Sequence, residues 1–229
     1  LQRLLYWLFV VEYATFNTQK PYDTELTPEG FKKGGLGNGV SEWQDSTWNS
    51  FNVFNPFVPC GFTDEFGNQT GIKTYNVVDS NNDILYAASV PRYRGFELPF
   101  SHIWKWTDGI LVEVAALGNS AVFTTDDCSK FSSSDTSNYN FIGNQVRSEN
   151  FIKGIIFGDH GDIIANQFEG NSATYYCDYF FGGNIRSTGV SLRGCSFGGR
   201  ADNGARCGLV YGSTFDVPDG ASARIGSRL

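Results

Sequence analysis

The sequence predicts an α+β class, an N-terminal helix packed on short antiparallel strands with long irregular loops. Three observations predict it. One segment of helical spacing opens the chain, short apolar segments divided by turn residues follow it, and no strand-helix-strand alternation recurs. Residues 1–19 carry apolar side chains at Leu1, Leu4, Leu5, Leu8, Val11 and Tyr13, a three-to-four spacing that Lys20-Pro21 ends. This helix is expected to lie against a sheet. Segments 84–90, 103–107, 110–116, 154–157, 173–181, 190–194, 207–211 and 221–228 read as strands between turn residues.

The remaining stretches read as connections. From Trp43 to Gly71, aromatic residues stand among Asn, Pro and Gly, which suits irregular loops pinned to a core by their rings. The glycine run at 34–39 lacks the spacing of a phosphate-binding loop and follows no strand, so it reads as a turn. The Ser/Asp/Asn-rich stretch 124–140 reads as an exposed insertion or a mobile loop. No repeat of 20 to 50 residues is present, which excludes solenoids and propellers.

At 229 residues, 41% hydrophobic and 16% aromatic, the chain can bury one large core, and 1–229 reads as a single domain. The start at Leu1 and the lack of methionine lead us to expect further domains upstream. A net charge of -7 with no Lys/Arg run argues against a nucleic-acid partner. The apolar run 4–11 is far shorter than the roughly 20 residues that cross a bilayer, so no membrane insertion is expected.

Groups that carry chemistry are sparse. The five cysteines, Cys60, Cys128, Cys177, Cys195 and Cys207, contain no CxxC pair, which removes the common zinc and redox spacings. Cys60 is expected to be a plain buried thiol, and a Cys195 to Cys207 bridge is left open. Any Ser-His-Asp or Cys-His site would have to use His102 or His160. His102 adjoins an aromatic strand and is expected to be structural. Asp159, His160 and Asp162 suit hairpin-turn chemistry better than a cation site. Glu97, Asp108 and Glu113 are the candidate carboxylates for glycoside hydrolysis, each beside turns or strands where a cap or surface role is commoner. No enzyme activity, metal or cofactor is expected.

The C-terminal tail, about 194–229, has a different texture. A frame of Gly, Ala, Leu, Val and Ile holds, roughly at every second place, the unlike residues Arg200, Asp202, Arg206, Ser213, Phe215, Gly220, Ser222 and Arg224. Frame residues Ala205, Leu209, Val210, Ala221, Ala223 and Ile225 are expected to pack inward while their neighbours point away.

The run from Tyr93 to Gly109, with Tyr93-Arg94-Gly95-Phe96-Glu97, Pro99-Phe100, His102-Ile103-Trp104-Lys105-Trp106 and Asp108-Gly109, resembles a phage and gut-bacterial family with a C-type lectin fold. That family's version is close to YRGxENPFGHIWxWxDG. Leu98 stands where the family has Asn and Ser101 where it has Gly. The aromatic strand is also similar to the formylglycine-generating-enzyme branch of that fold. The tail resembles the variable region of proteins diversified by a retroelement, with a frame like GGxAxNGAxxGLxYxxTxxxPxxAxAxIGSRL closing on Ile225-Gly226-Ser227-Arg228-Leu229.

The resemblance implies a single C-type lectin-like domain whose tail binds a ligand through Arg200, Asp202, Arg206, Cys207, Tyr211, Ser213, Phe215, Asp216, Gly220, Ser222 and Arg224. It implies a receptor-binding domain at the tip of a phage tail fibre, directed at a bacterial cell-surface glycan or protein and trimeric through an upstream fibre. A bacterial surface-displayed version and a formylglycine-generating-type enzyme are the alternatives. Randomised adenines in Asn codons never yield Lys, Glu, Gln, Trp or Met, and none of these follows Glu169. Calcium-dependent sugar binding would need Glu-Pro-Asn or Gln-Pro-Asp signatures, which are absent.

Overall fold

A computed structural model describes residues 2–18, 58–78, 81–100, 103–115, 119–158, 161–182, 190–199, 203, 206–220 and 225–226. One helix, α1 (Gln2–Tyr13), precedes thirteen strands among these residues. Strands β1 (Gly71–Val78), β2 (Ile84–Tyr93) and β3 (Phe96–Glu97) form a three-stranded antiparallel sheet.

Seven further strands form the central sheet. They are β4 (Trp104–Ala115), β5 (Ser120–Thr124), β6 (Asn140–Gln145), β7 (Glu149–Phe151), β10 (Tyr179–Phe181), β11 (Val190–Gly198) and β12 (Gly208–Ser213). Their order is β6-β5-β4-β11-β12-β10-β7, curled into a half-barrel, with β10 and β12 parallel. Strand β13 (Ile225–Gly226) pairs parallel to β4, and β8 (Gly154–Phe157) with β9 (Ile163–Gln167) makes a separate hairpin.

This architecture corrects the expected class. The protein is β-rich, not an α+β domain of C-type lectin-like layout, because the sheets supply most of the ordered backbone and one helix of 12 residues is the only α-helix described. The apolar stripe of α1 is corrected too. Leu5, Tyr6 and Phe9 are buried, whereas Leu4, Leu8 and Val11 are exposed. Aromatic rings remove more apolar area from water than leucines do, and Phe9 sits 5.3 Å from the ring of Tyr93. Among the described residues no helix is long and apolar enough to cross a membrane.

The Tyr93 to Phe100 motif serves the scaffold. Tyr93, Leu98 and Phe100 are buried, and Arg94 Nε donates to Glu12 of α1 at 2.9 Å. Glu97 accepts from the Gly61 and Thr63 backbone N–H groups at 3.2 and 2.7 Å and from the Thr63 hydroxyl at 2.7 Å. Buried Arg92 donates to the Gly67 carbonyl and to Asp64. One hairpin therefore ties the opening helix and the 58–67 loop together. Cys60, expected inside, is exposed on that loop, whose turn is held by Glu97 through the next residue.

Segments 103–107 and 110–116 prove to be one strand with a bulge. Along β11, Cys195 faces Thr107 while Gly194 faces Leu111, so residues 108–110 have no counterpart. Gly109 sits there at φ 77°, its carbonyl accepting from the Thr125 N–H at 2.9 Å. A Cβ at this position would run into the Thr125 carbonyl oxygen, so the turn requires glycine. The connection 124–140 is largely exposed between buried Thr125 and Tyr139 and shaped by Asx turns: Asp127 accepts from Ser129, and Asp135 from Ser137. Of the expected strand 173–181 only β10 is extended, since Tyr175 and Cys177 adopt φ of 57° and 62°.

Candidate functional site

The tail enters the sheet as β12, between β11 and β10, and every residue of that strand is buried. Leu209 and Val210 pack inward as expected, and Ile225 is half-buried. The Leu209 N–H donates to Thr18 at 3.1 Å and the Val210 N–H to Asp178 at 2.7 Å. The Asp178 carboxyl lies where a Cβ on Gly208 would be, so only glycine fits opposite it. Burial pushes this carboxyl well above the usual carboxylate range, against the pull of the Val210 and Tyr211 N–H groups.

Outward projection at every second residue fails along β12. Cys207, Tyr211 and Ser213 are buried with the frame. At β12 the sheet is covered on both faces, so alternation leads from one interior to another. Tyr211 lies 4.5 Å from Trp104 and 6.0 Å from Tyr179 by ring centroids. On the opposite side Val210 and Phe180 meet Ile164 and Ala165 of β9 around a small cavity that Cys195 also lines. Burial raises the Cys195 thiol to about 12, and no disulfide joins any of the five cysteines.

Other tail residues stand at the rim. Exposed Arg206 carries its guanidinium 4.7 Å above the Tyr179 ring, and the exposed Phe215 ring lies 5.5 Å from that of Phe181, tilted by 44°. Tyr179 and Phe181 are two apart on β10 and share a face, so they set the cation and the ring side by side. The Phe215 carbonyl accepts from Arg193 at 2.8 Å, and half-buried Asp216 accepts through its carbonyl from the Gly194 N–H at 3.1 Å. Gly220, half-buried, closes a turn by donating to the Val217 carbonyl at 2.9 Å. Arg200, Asp202, Ser222 and Arg224 lie outside the described residues, as do Ala205, Ala221 and Ala223.

Beside this rim opens a cleft of about 270 Å³. The β4 bulge, the 131–133 segment and Pro218 form its walls. Trp106 and Pro218 both rest on Gly194, where a Cβ would come within 2.7 Å of the indole and 3.2 Å of the proline. The Tyr139 hydroxyl accepts from the Ser132 N–H at 3.1 Å and holds the opposite wall.

Among the candidate hydrolytic carboxylates, Glu97 is engaged at Thr63 and Glu113 accepts from Thr136 at 2.8 Å. Only Asp108 lines the cleft, and it is exposed. His102, Asp159 and His160 lie outside the described residues, while Asp162 accepts from Thr124 at 3.1 Å. Among the described residues no three His, Cys, Asp or Glu side chains converge as a metal site would require. Sequence reasoning missed the supporting rings Tyr179 and Phe181 and the cleft walls at Phe131, Ser132 and Ser133. The Trp106 and Asp108-Gly109 signals were visible, without the bulge that gives them a site.

Compared with family models, with curated proteins and with solved structures, the chain finds no match.

Proposed function

We propose that the chain is a non-enzymatic receptor-binding domain, carried on a phage tail fibre or a related surface adhesin, whose tail contacts a bacterial surface glycan or protein. The observation that carries this proposal is the pairing of Arg206 on Tyr179 with Phe215 on Phe181, exposed at the edge of a buried strand. Contact residues on a rigid scaffold can change without unfolding it, and an arginine beside an aromatic ring is a frequent composition of binding hot spots. Retroelement diversification belongs to the same proposal. Among the described tail residues it would act at Arg206, Phe215, Asp216 and Gly220, which border solvent, and not at the interior members of the set.

The test is the double variant Arg206→Ala/Phe215→Ala, measured for adhesion to a panel of bacterial cells beside its circular dichroism. Adhesion should fall at least tenfold with the spectrum unchanged, as expected for loss of about 2 kcal/mol of contact energy. A folded variant that adheres like the parent overturns the proposal. For diversification, the neighbouring DNA should hold a reverse transcriptase and a near-copy of the tail that differs at adenines; differences spread over all four bases overturn it.

A further inference from the structure

The cleft beside the rim contains none of the contact residues expected from the sequence, and its chemistry is distinct from theirs. One wall is the Trp106 indole, backed by Gly194, and the other carries Phe131, exposed on the 131–133 segment. Between them stand hydroxyl and carboxylate groups. Ser132 Oγ accepts from the Ser134 N–H at 3.2 Å and keeps its own proton to donate. Ser133 is exposed, and the Asp108 carboxylate has no protein partner among the described residues. Among the described residues no lysine, arginine or histidine lines the cleft.

Each feature narrows the ligand. The described lining offers no cation to a phosphate or carboxylate, and the Asp108 carboxylate, without a partner among the described residues, would repel one. Its volume falls just below the roughly 300 Å³ at which small-molecule sites begin, which suits one ring and not an extended chain. A flat apolar ring beside an acceptor and two hydroxyls matches a molecule with an apolar C–H face and a rim of O–H groups. A quaternary ammonium would use the rings and the carboxylate but leave both serines idle.

We infer that this cleft is a subsite for one neutral pyranose ring, stacked on Trp106, with Asp108 accepting from its hydroxyls and Ser132 and Ser133 bonding its other edge. The subsite deepens the binding function proposed above and rests on it: Pro218, in the same 215–220 stretch as Phe215, forms part of the cleft wall, so one glycan can engage both. Tyr139 is a positioning residue here, holding Ser132 through its hydroxyl.

The test is saturation-transfer NMR and tryptophan-fluorescence titration of the whole chain with methyl glycosides of glucose, galactose, mannose, N-acetylglucosamine and N-acetylgalactosamine, with choline as a further probe. At least one glycoside should bind the parent. Asp108→Asn, a change at an exposed position without protein partners, should weaken it at least tenfold, while Arg206→Ala/Phe215→Ala keeps it. Trp106→Phe should keep the fold and diminish the fluorescence response. The subsite is overturned if no glycoside binds, if Asp108→Asn binds equally well, or if choline alone binds. Adhesion that depends on Arg206 and Phe215 without glycoside binding defeats the subsite and leaves the wider function standing. Glycoside binding with adhesion indifferent to those residues does the reverse.

Discussion

Strand β12 and the stretch that follows it are neighbours in one tail, yet they obey different constraints. From Gly208 to Ser213 every residue is buried, between a layer of rings on one side and the β9 hairpin on the other. From Phe215 to Gly220 the chain runs along an edge, its Phe215 and Asp216 carbonyls accepting from the Arg193 guanidinium and the Gly194 N–H, while side chains such as Phe215 and Val217 stay exposed. The same alternation of unlike residues on a small-residue frame thus reports packing in the first stretch and exposure in the second. A substitution should cost stability in the first stretch and, under the binding function proposed above, contact in the second.

The largest effect should come from Tyr211→Ala, which empties a ring position between Trp104 and Tyr179 and should cost about 3–5 kcal/mol in denaturant unfolding. A cost below about 1 kcal/mol would mean that β12 tolerates variation after all, and the contrast would collapse.

Next is Asp178→Asn, which tests how firmly β12 is bedded. The native carboxyl is raised far above its ordinary value near 3.9, so its neutral form is the one the fold favours. Its contribution to stability is complete below about pH 3.9 and is lost as pH rises toward the raised native value. Asparagine keeps an acceptor for the Val210 N–H and has no such proton to lose. Between pH 4 and pH 8 the parent's Tm should therefore decline relative to the variant's. Asp127, Asp135 and Glu169 are held below the usual range, chiefly by Ser129, Ser137 and Lys153. Their contribution is lost as pH falls, in parent and variant alike, so the difference isolates Asp178. Parallel curves would show that the carboxyl is not what anchors the strand. The smallest effect should be that of Phe215→Ala on unfolding, about 1 kcal/mol or less, because the ring is exposed and forfeits mainly its contact with Phe181.

Local patterns were legible where one element carries its own signal. Strand β8 and most of β2 and β11 follow from spacing and turn residues within a few positions, and the helix read over 1–19 exists but ends at Tyr13. Strands β1, β3, β5, β6, β7 and β9 were not foreseen. Glu149–Phe151 is too short for a period of two to show, and Asn140–Gln145 is polar enough to read as loop. Missing them is what tipped the expected class toward α+β. The direction of a side chain on β12 was also illegible, because burial on both faces depends on the distant rings of Trp104 and Tyr179 and on the β9 hairpin. Arg206 and Phe215 were identifiable as unlike residues in a frame, but the rings beneath them lie on β10, about 25–35 residues earlier in the chain.

Strand β13 lends the tail a property that composition alone does not. By pairing Ile225 and Gly226 with Trp104 and Lys105, it returns the chain to the strand on the far side of β11 from β12. The intervening segment is thus moored at two points, and the entropy of lengthening a moored loop grows slowly, by about 0.6 kcal/mol for each doubling. Under the binding function proposed above, length would then join residue identity as a way for the contact surface to vary.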